Sequence, residues 1–229
     1  RGVDTDVSPF DAGSYASSGT YVTGLAAKNA ATELREKICA KAAQMWDVDV
    51  ADVVFDGQYV RLSDERAARE QNRYLTLRDF ANLCVKNIAG GDALTSHASA
   101  CLPVSPPPFM AGIAEVEVDK ATGKVTVLDY AAAVDCGTVI NEALARVQAE
   151  GGIAQGIGHA LYEIVEHDER GRLRTGNFMS YKLPTRLDIG SIRVAFEPSY
   201  EPTGPFGAKS IGEVVINTPL AAVASAVAH

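Results

Sequence analysis

Hydrophobic spacing divides this chain into stretches of two different periods. From Tyr21 to Trp46, Leu25, Leu34, Ile38, Ala42 and Met45 recur near every 3.6 residues, which predicts one long helix. "VVFDGQYVRL" switches to the short alternation of a hairpin, with Asp56-Gly57 supplying the positive-φ turn. Thr76 with Asp79 three residues on has the form of a capping box, opening a helix through about Asn87 that Gly90-Gly91 then breaks. "VSPPPF" predicts a stiff extended connector, because its prolines can neither donate to a ladder nor continue a helix.

Beyond that connector, "GIAEVEVDKATGKVTVLDYAAAVDCG" predicts two strands joined by a five-residue turn containing Gly123. Ile113, Glu115 and Glu117 alternate with Ala114, Val116 and Val118, giving one wet face and one buried face. Asn141 is placed to cap a helix through "EALARVQAEGGIAQGIGHALYE". "HDERGRLRTGNF" follows as a polar hairpin-like turn and "IRVAFEP" as a short strand. Thr218-Pro219 has the chemistry of an N-cap and first helical position for a last helix, "LAAVASAVAH". The fold class expected from the residues is α+β or α/β, with α+β preferred: mixed helices and sheets in two lobes, residues 1–103 and 104–229, parted near Val104–Phe109.

Composition narrows the function classes. The 229 residues are 47% hydrophobic and 22% charged, as in ordinary soluble globular proteins, and no apolar run approaches a membrane-spanning length. A net charge of −8 offers no basic field for nucleic acid. Cys39, Cys84, Cys101 and Cys136 are scattered without C-x-x-C pairing, which fits reduced thiols in a cytoplasmic protein and supplies no iron–sulfur spacing. His97, His159, His167 and His229 form no ligand-like cluster, so no metal held by side chains is expected. The opening "RGVDTDVSPFD" has neither an initiator Met nor a leader pattern, and is expected of a fragment or a processed subunit.

Three segments carry candidate chemistry. "DAGSYASSGTYVTG" gathers hydroxyls and glycines ahead of the long helix, a setting for an anion or polar heterocycle, or simply a loop that caps the helix. "QAEGGIAQGIGHALYE" places Gly151, Gly152, Gly156 and Gly158 in a helix, at roughly 1 kcal/mol each relative to alanine. A large ligand reached by Gln148 and Gln155, or another backbone in close packing, would account for them. "GPFGAKSIGE" lacks the spacing of a phosphate loop but sets Glu213 behind two glycines and Lys209 in a weakly charged stretch. Desolvated, such an acid becomes a general base; otherwise it is a helix-start device or a solvated loop acid. Asp135-Cys136-Gly137 has no histidine partner for a nucleophile, leaving Cys136 a buried small residue; His159, beside apolar neighbours, reads as packed.

"TDVSPFDAGSYASSGTYVTG", "AEVEVDKATGKVTVLDYAAAVDCGTVIN", "QAEGGIAQGIGHALYE" and "GPFGAKSIGE" occur here in the order found in molybdenum hydroxylases, the family of xanthine dehydrogenases, aldehyde oxidoreductases and nicotinate dehydrogenases. The likeness covers nearly the whole chain, most loosely between about Asp47 and Pro103. It implies the C-terminal part of a two-lobed molybdopterin-binding region in the large catalytic subunit. By the same resemblance, Gly13, Ser14, Ser17 and Ser18 fall in the loop that holds the cofactor's pterin and phosphate. Gln148 would hydrogen-bond the cofactor, Ile211 would approach the metal centre through its backbone, Gly212 beside it would be cofactor-binding, and Glu213 matches the catalytic glutamate. The metal would be molybdenum ligated by the pterin, whose form is left open, a cytosine dinucleotide being common among bacterial members.

The resemblance further implies oxidation of an aromatic heterocycle of purine or nicotinate type, or of an aldehyde, with water as oxygen source. Electrons would pass to [2Fe–2S] clusters and FAD on partner chains. The family's upstream G-G-G-F-G and F-R-G-x-G segments are absent from this sequence, so the remaining N-terminal part of the molybdenum subunit is an implied partner. Two rivals stay open: reductive dehydroxylation of an aromatic acyl-CoA, and a non-catalytic scaffold subunit.

Overall fold

The computed structural model describes residues 4–6, 8, 10–11, 13–86, 93–101 and 104–229. The chain forms two compact units, Leu25–Cys101 and Arg1–Gly24 with Leu102–His229. The opening residues thus group with the second part of the chain, where a boundary at 103/104 had put them in the first. Long-range bonds account for this: Ser17 is tied to Glu213, and the Tyr21 hydroxyl to Thr203.

The long helix begins with a π turn at Gly19–Thr23 and continues as α1, Gly24–Trp46. In the Leu25–Cys101 unit, strands β1 (Val53–Phe55), β2 (Tyr59–Leu62) and β3 (Tyr74–Thr76) form an antiparallel sheet, with helices α2 (Glu65–Glu70) and α3 (Leu77–Lys86). The β1–β2 turn is the expected one: Gly57 has φ +98°, and the Asp56 carboxylate accepts the N–H groups of Gln58 and Tyr59. Asp79 N–H donates to Thr76 Oγ1, as a capping box requires. The Asp79 carboxylate, however, takes the Thr76 hydroxyl rather than a backbone N–H. The predicted end of this helix at Asn87 and the Gly90-Gly91 break lie outside the described residues. Ile38, Ala42, Val53, Val60, Phe80 and Cys84 form the core of this unit.

In the other unit, β4 (Phe109–Val118) pairs antiparallel with β5 (Val125–Asp135), and β5 pairs parallel with β6 (Ser191–Phe196). The connection between β4 and β5 is residues 119–124, one longer than expected. Parallel strands cannot be joined by a tight turn, and the crossover from β5 to β6 carries helix α4, Glu142–Leu161, capped by Asn141. Leu128 is the extra residue of a bulge opposite Glu115/Val116. It changes which alternate positions of β5 face inward, from Val127 before it to Tyr130, Ala132 and Val134 after it.

The last helix, α5, spans Val214–Ala228. Its start is five residues earlier than the Thr218-Pro219 signal suggested, and Pro219 lies inside it. The buried stripe Val215, Pro219 and Val223, spaced every four residues, explains the early start, since it extends the apolar face into the core. Thr218 is not a cap; its hydroxyl accepts a hydrogen bond from Tyr130, which is fully buried and lies over Gly112.

The glycines of α4 divide by environment. A Cβ on Gly152 would stand 2.4 Å from Val215, and one on Gly156 would stand 2.9 Å from the Ile216 carbonyl and 2.8 Å from Pro219. These two positions let α4 and α5 approach closely, so packing explains them. Around Gly151 a Cβ would meet nothing within 4 Å. Opposite outcomes follow for one added methyl group. Gly151→Ala should stabilise by roughly 1 kcal/mol through helix propensity alone. Gly156→Ala gains the same propensity but forces overpacking against backbone, at about 1–3 kcal/mol, and should melt lower than the parent. Thermal denaturation of the two variants side by side checks this.

Candidate functional site

A cleft of about 610 Å³ opens in the larger unit. Its walls come from the loop before the π turn (Ser14, Ser17), the segment after β5 with the first turns of α4 (Cys136, Gln148), and the segment before α5 (Lys209, Ile211–Glu213). These pieces are far apart in sequence, and backbone pairing joins two of them. Gly137 bridges Ala208, Thr138 N–H donates to the Gly207 carbonyl at 2.8 Å, and Lys209 N–H donates to the Cys136 carbonyl at 2.7 Å. Gly137 has φ +70°, and a Cβ there would be 2.3 Å from the Gly207 carbonyl, so glycine is required at this crossing.

Beneath that crossing the Lys209 ammonium sits 2.6 Å from Asp135, with the two side chains 10% and 20% exposed. Asp135 also accepts the Ser199 hydroxyl and the Gly137 N–H. Burial pushes its acidity down, but Lys209, Ser199 and the Gly137 N–H outweigh burial and hold its carboxyl below the usual carboxylate range. Burial, with the Asp135 charge beside it, pushes the Cys136 thiol up, which keeps it protonated and unreactive.

Glu213 occupies the residue before α5, yet its carboxylate makes no capping hydrogen bond. Instead Ser17 meets it twice. The Ser17 Oγ accepts the Glu213 N–H at 2.7 Å and donates its hydrogen to Glu213 Oε2 at 3.0 Å. Gln148 Nε2 donates to the Gly212 carbonyl at 3.2 Å, from the first turns of α4. Ala16 and Ser17 have φ of 48° and 58°, a left-handed conformation that costs on the order of 1 kcal/mol for each non-glycine residue.

Of the residues expected from sequence, Ser14, Ser17, Gln148, Ile211, Gly212 and Glu213 all border the cleft. Gly13 and Ser18 do not. Ser18 stands at the N-cap position without a side-chain cap bond, so helix capping does not account for the serine-rich loop. Gln155, offered with Gln148 as a ligand group, faces solvent away from the cleft. The burial expected around Glu213 is not supplied by this chain, in which the residue is exposed. His159 is not packed either; 41% of its side chain is exposed, and its Nε2 is 3.6 Å from Glu163. The Asp135–Lys209 pairing escaped sequence reading. Its signal was a charged residue at the end of an apolar strand and a lysine in a glycine-rich segment, with nothing to connect them.

Among the described residues no group of three or more His, Cys, Asp or Glu is arranged to hold a metal ion. Among the same residues no helix is long and apolar enough to cross a membrane.

Comparison with known proteins adds to this geometry. Residues 1–190 match the family described as "Molybdopterin cofactor-binding domain". The chain is 37% identical over 225 residues to a probable hypoxanthine oxidase of Escherichia coli (strain K12), covering 98% of this chain and 23% of that protein. It is 34% identical over 225 residues to a putative xanthine dehydrogenase molybdenum-binding subunit of the same organism, covering 98% and 29%. Reconstituted CO dehydrogenase from Oligotropha carboxidovorans superposes with a TM-score of 0.80 at 26% identity, over 94% of this chain and 26% of that one. The chain therefore spans about a quarter of the length of the curated relatives it matches.

Proposed function

The chain belongs to the molybdopterin cofactor-binding domain family, and from that premise we propose that it is the cofactor-binding, base-bearing part of a molybdenum hydroxylase. The observation that carries the reading is Glu213. A carboxylate at a helix start that does no capping, on the rim of a cleft and held from a distant loop, is built for another task. The reaction is oxidation of a ring C–H in an aromatic heterocycle of purine or nicotinate type, or of an aldehyde C–H. Water supplies the oxygen, and two protons and two electrons are released. The purine preference rests on the hypoxanthine and xanthine named for two relatives.

The lining fits a large polar cofactor that brings its own metal ligands, for it offers hydroxyls, amides and closely approached backbone rather than a cluster of metal-binding side chains. Its volume lies within the range of small-molecule and cofactor sites. Ser14, with the backbone around Ser17, would hold the pterin and its phosphate, Gln148 would reach it from α4, and Ile211 and Gly212 would present backbone to the metal. When bound, the cofactor supplies the redox centre at which the substrate carbon is oxidised. Glu213 serves as the general base, accepting a proton at a carboxylate oxygen. Its dry surroundings would come from the cofactor, the substrate and the rest of the enzyme, because in this chain it is exposed. The pterin form proposed is molybdopterin or its cytosine dinucleotide. [2Fe–2S] and FAD chains are the proposed electron path, beside the remainder of the molybdenum subunit, in a cytoplasmic complex.

Purification from the native host, with molybdenum measured by elemental mass spectrometry and the co-purifying polypeptides identified, tests the reading. Molybdenum near one per chain with an iron–sulfur partner is the expected result. A complete set of partners without molybdenum would turn the assignment to a scaffold.

A further inference from the structure

We propose that Ser17 is a positioning residue for Glu213, an inference that rests on Glu213 being the base. The serine hydroxyl touches both the backbone and the side chain of the same residue 196 positions away, accepting from its N–H and donating to its Oε2. Each bond has a separate effect. The N–H of a helix's first residues lacks a partner within the helix, and a side chain in the preceding position often provides one. Here a serine from another segment provides it. The Glu213 carboxylate itself accepts none of the N–H groups that follow it in the helix. The second bond then holds one carboxylate oxygen, Oε2, of a residue that lines the cleft.

Two further features fit this role. Ser17 holds φ 58° next to Ala16 at 48°, and such strain persists where the surroundings over-determine it. Gly212 makes the approach possible, since a Cβ there would lie 2.9 Å from Ser17 Oγ and 3.2 Å from Ser17 Cβ. A hydroxyl that only held the cofactor would need neither its double engagement with Glu213 nor a glycine opposite it. Ser17 therefore differs from Ser14, whose hydroxyl makes no bond to the base segment: it aims the base, and any contact it makes with the cofactor goes through its backbone.

The test uses the purified native complex and the best substrate from a panel of hypoxanthine, nicotinate and benzaldehyde. Ser17→Ala, Ser17→Gly, Glu213→Gln and the double variant Ser17→Ala/Glu213→Gln are compared for kcat, KM and molybdenum per chain. Ser17→Ala removes the hydroxyl and keeps the strained backbone, whereas Ser17→Gly removes the hydroxyl and relieves the strain. Both should lower kcat by about 10- to 100-fold, the loss expected from a misplaced catalytic group, with KM and molybdenum content unchanged. In the Glu213→Gln background, Ser17→Ala should change the rate by less than about twofold, because residues acting through one another are not additive. Loss of molybdenum from Ser17→Ala would instead make Ser17 a cofactor holder and overturn the proposal, as would an equal loss in both backgrounds or a parental rate. A near-parental rate for Glu213→Gln alone would sink the base reading itself, independently of Ser17.

Discussion

Glu213→Gln should lower turnover by at least ~100-fold, within the usual effect of removing a general base, while molybdenum stays bound. Glutamine keeps the shape and length of the side chain and its carbonyl oxygen can still accept the Ser17 hydroxyl, so the rim of the cleft is preserved. What is lost is an oxygen basic enough to take a proton. The helix should be indifferent to the change, because the carboxylate makes no cap bond at the start of α5. Thermal stability should therefore move little while kcat collapses, and that split is the signature of a base. A near-parental rate with molybdenum retained would remove Glu213 from the chemistry.

Lys209→Met should destabilise the larger unit by about 3 kcal/mol at neutral pH, by leaving Asp135 partly buried without its cation. The ammonium also lies 5.3 Å over the Phe109 ring and 3.4 Å from the Pro107 carbonyl, contacts that a thioether does not replace. The sign of the pH dependence follows from Asp135, whose carboxyl is held below its ordinary value in the folded chain. Its contribution to stability is present above the unfolded value, ~3.9, and fades as pH falls through the lower folded one. In Lys209→Met the protonated acid tolerates burial better than the ionised one. The stability gap between parent and variant, measured by urea denaturation, should narrow below about pH 4. The double variant Asp135→Asn/Lys209→Met should recover part of the loss by removing the stranded charge. A gap that stays constant from pH 7 to pH 3 would show that Lys209 acts through packing alone.

Local chemistry made most elements readable. Asp56-Gly57 marks its hairpin because a positive φ is nearly free only for glycine, and Asn141 marks the start of α4 because its side chain accepts the Leu144 N–H. The end of the chain misled for a related reason. Thr218-Pro219 has the composition of a helix start, but the buried stripe of Val215, Pro219 and Val223 favours a helix begun five residues earlier. A proline there removes a single backbone donor, and burial against Gly156 compensates.

The site divides along the same line. Sequence by itself determined which segments stand out: the serine–glycine loop, the glycine helix and the segment ending in Glu213 all read as unusual, and their order pointed to one family. Whether the α4 glycines served a ligand or a neighbouring helix was open, since the absence of a Cβ is visible in sequence and the atom filling its place is not. Tertiary structure decided that Gly152 and Gly156 serve helix packing and that Lys209 answers Asp135. It also decided that Glu213 is gripped by Ser17. Hydrogen bonds and ion pairs act over about 3 Å, whatever the distance along the chain, so pairings across 74 and 196 residues exist only once the fold has brought their ends together.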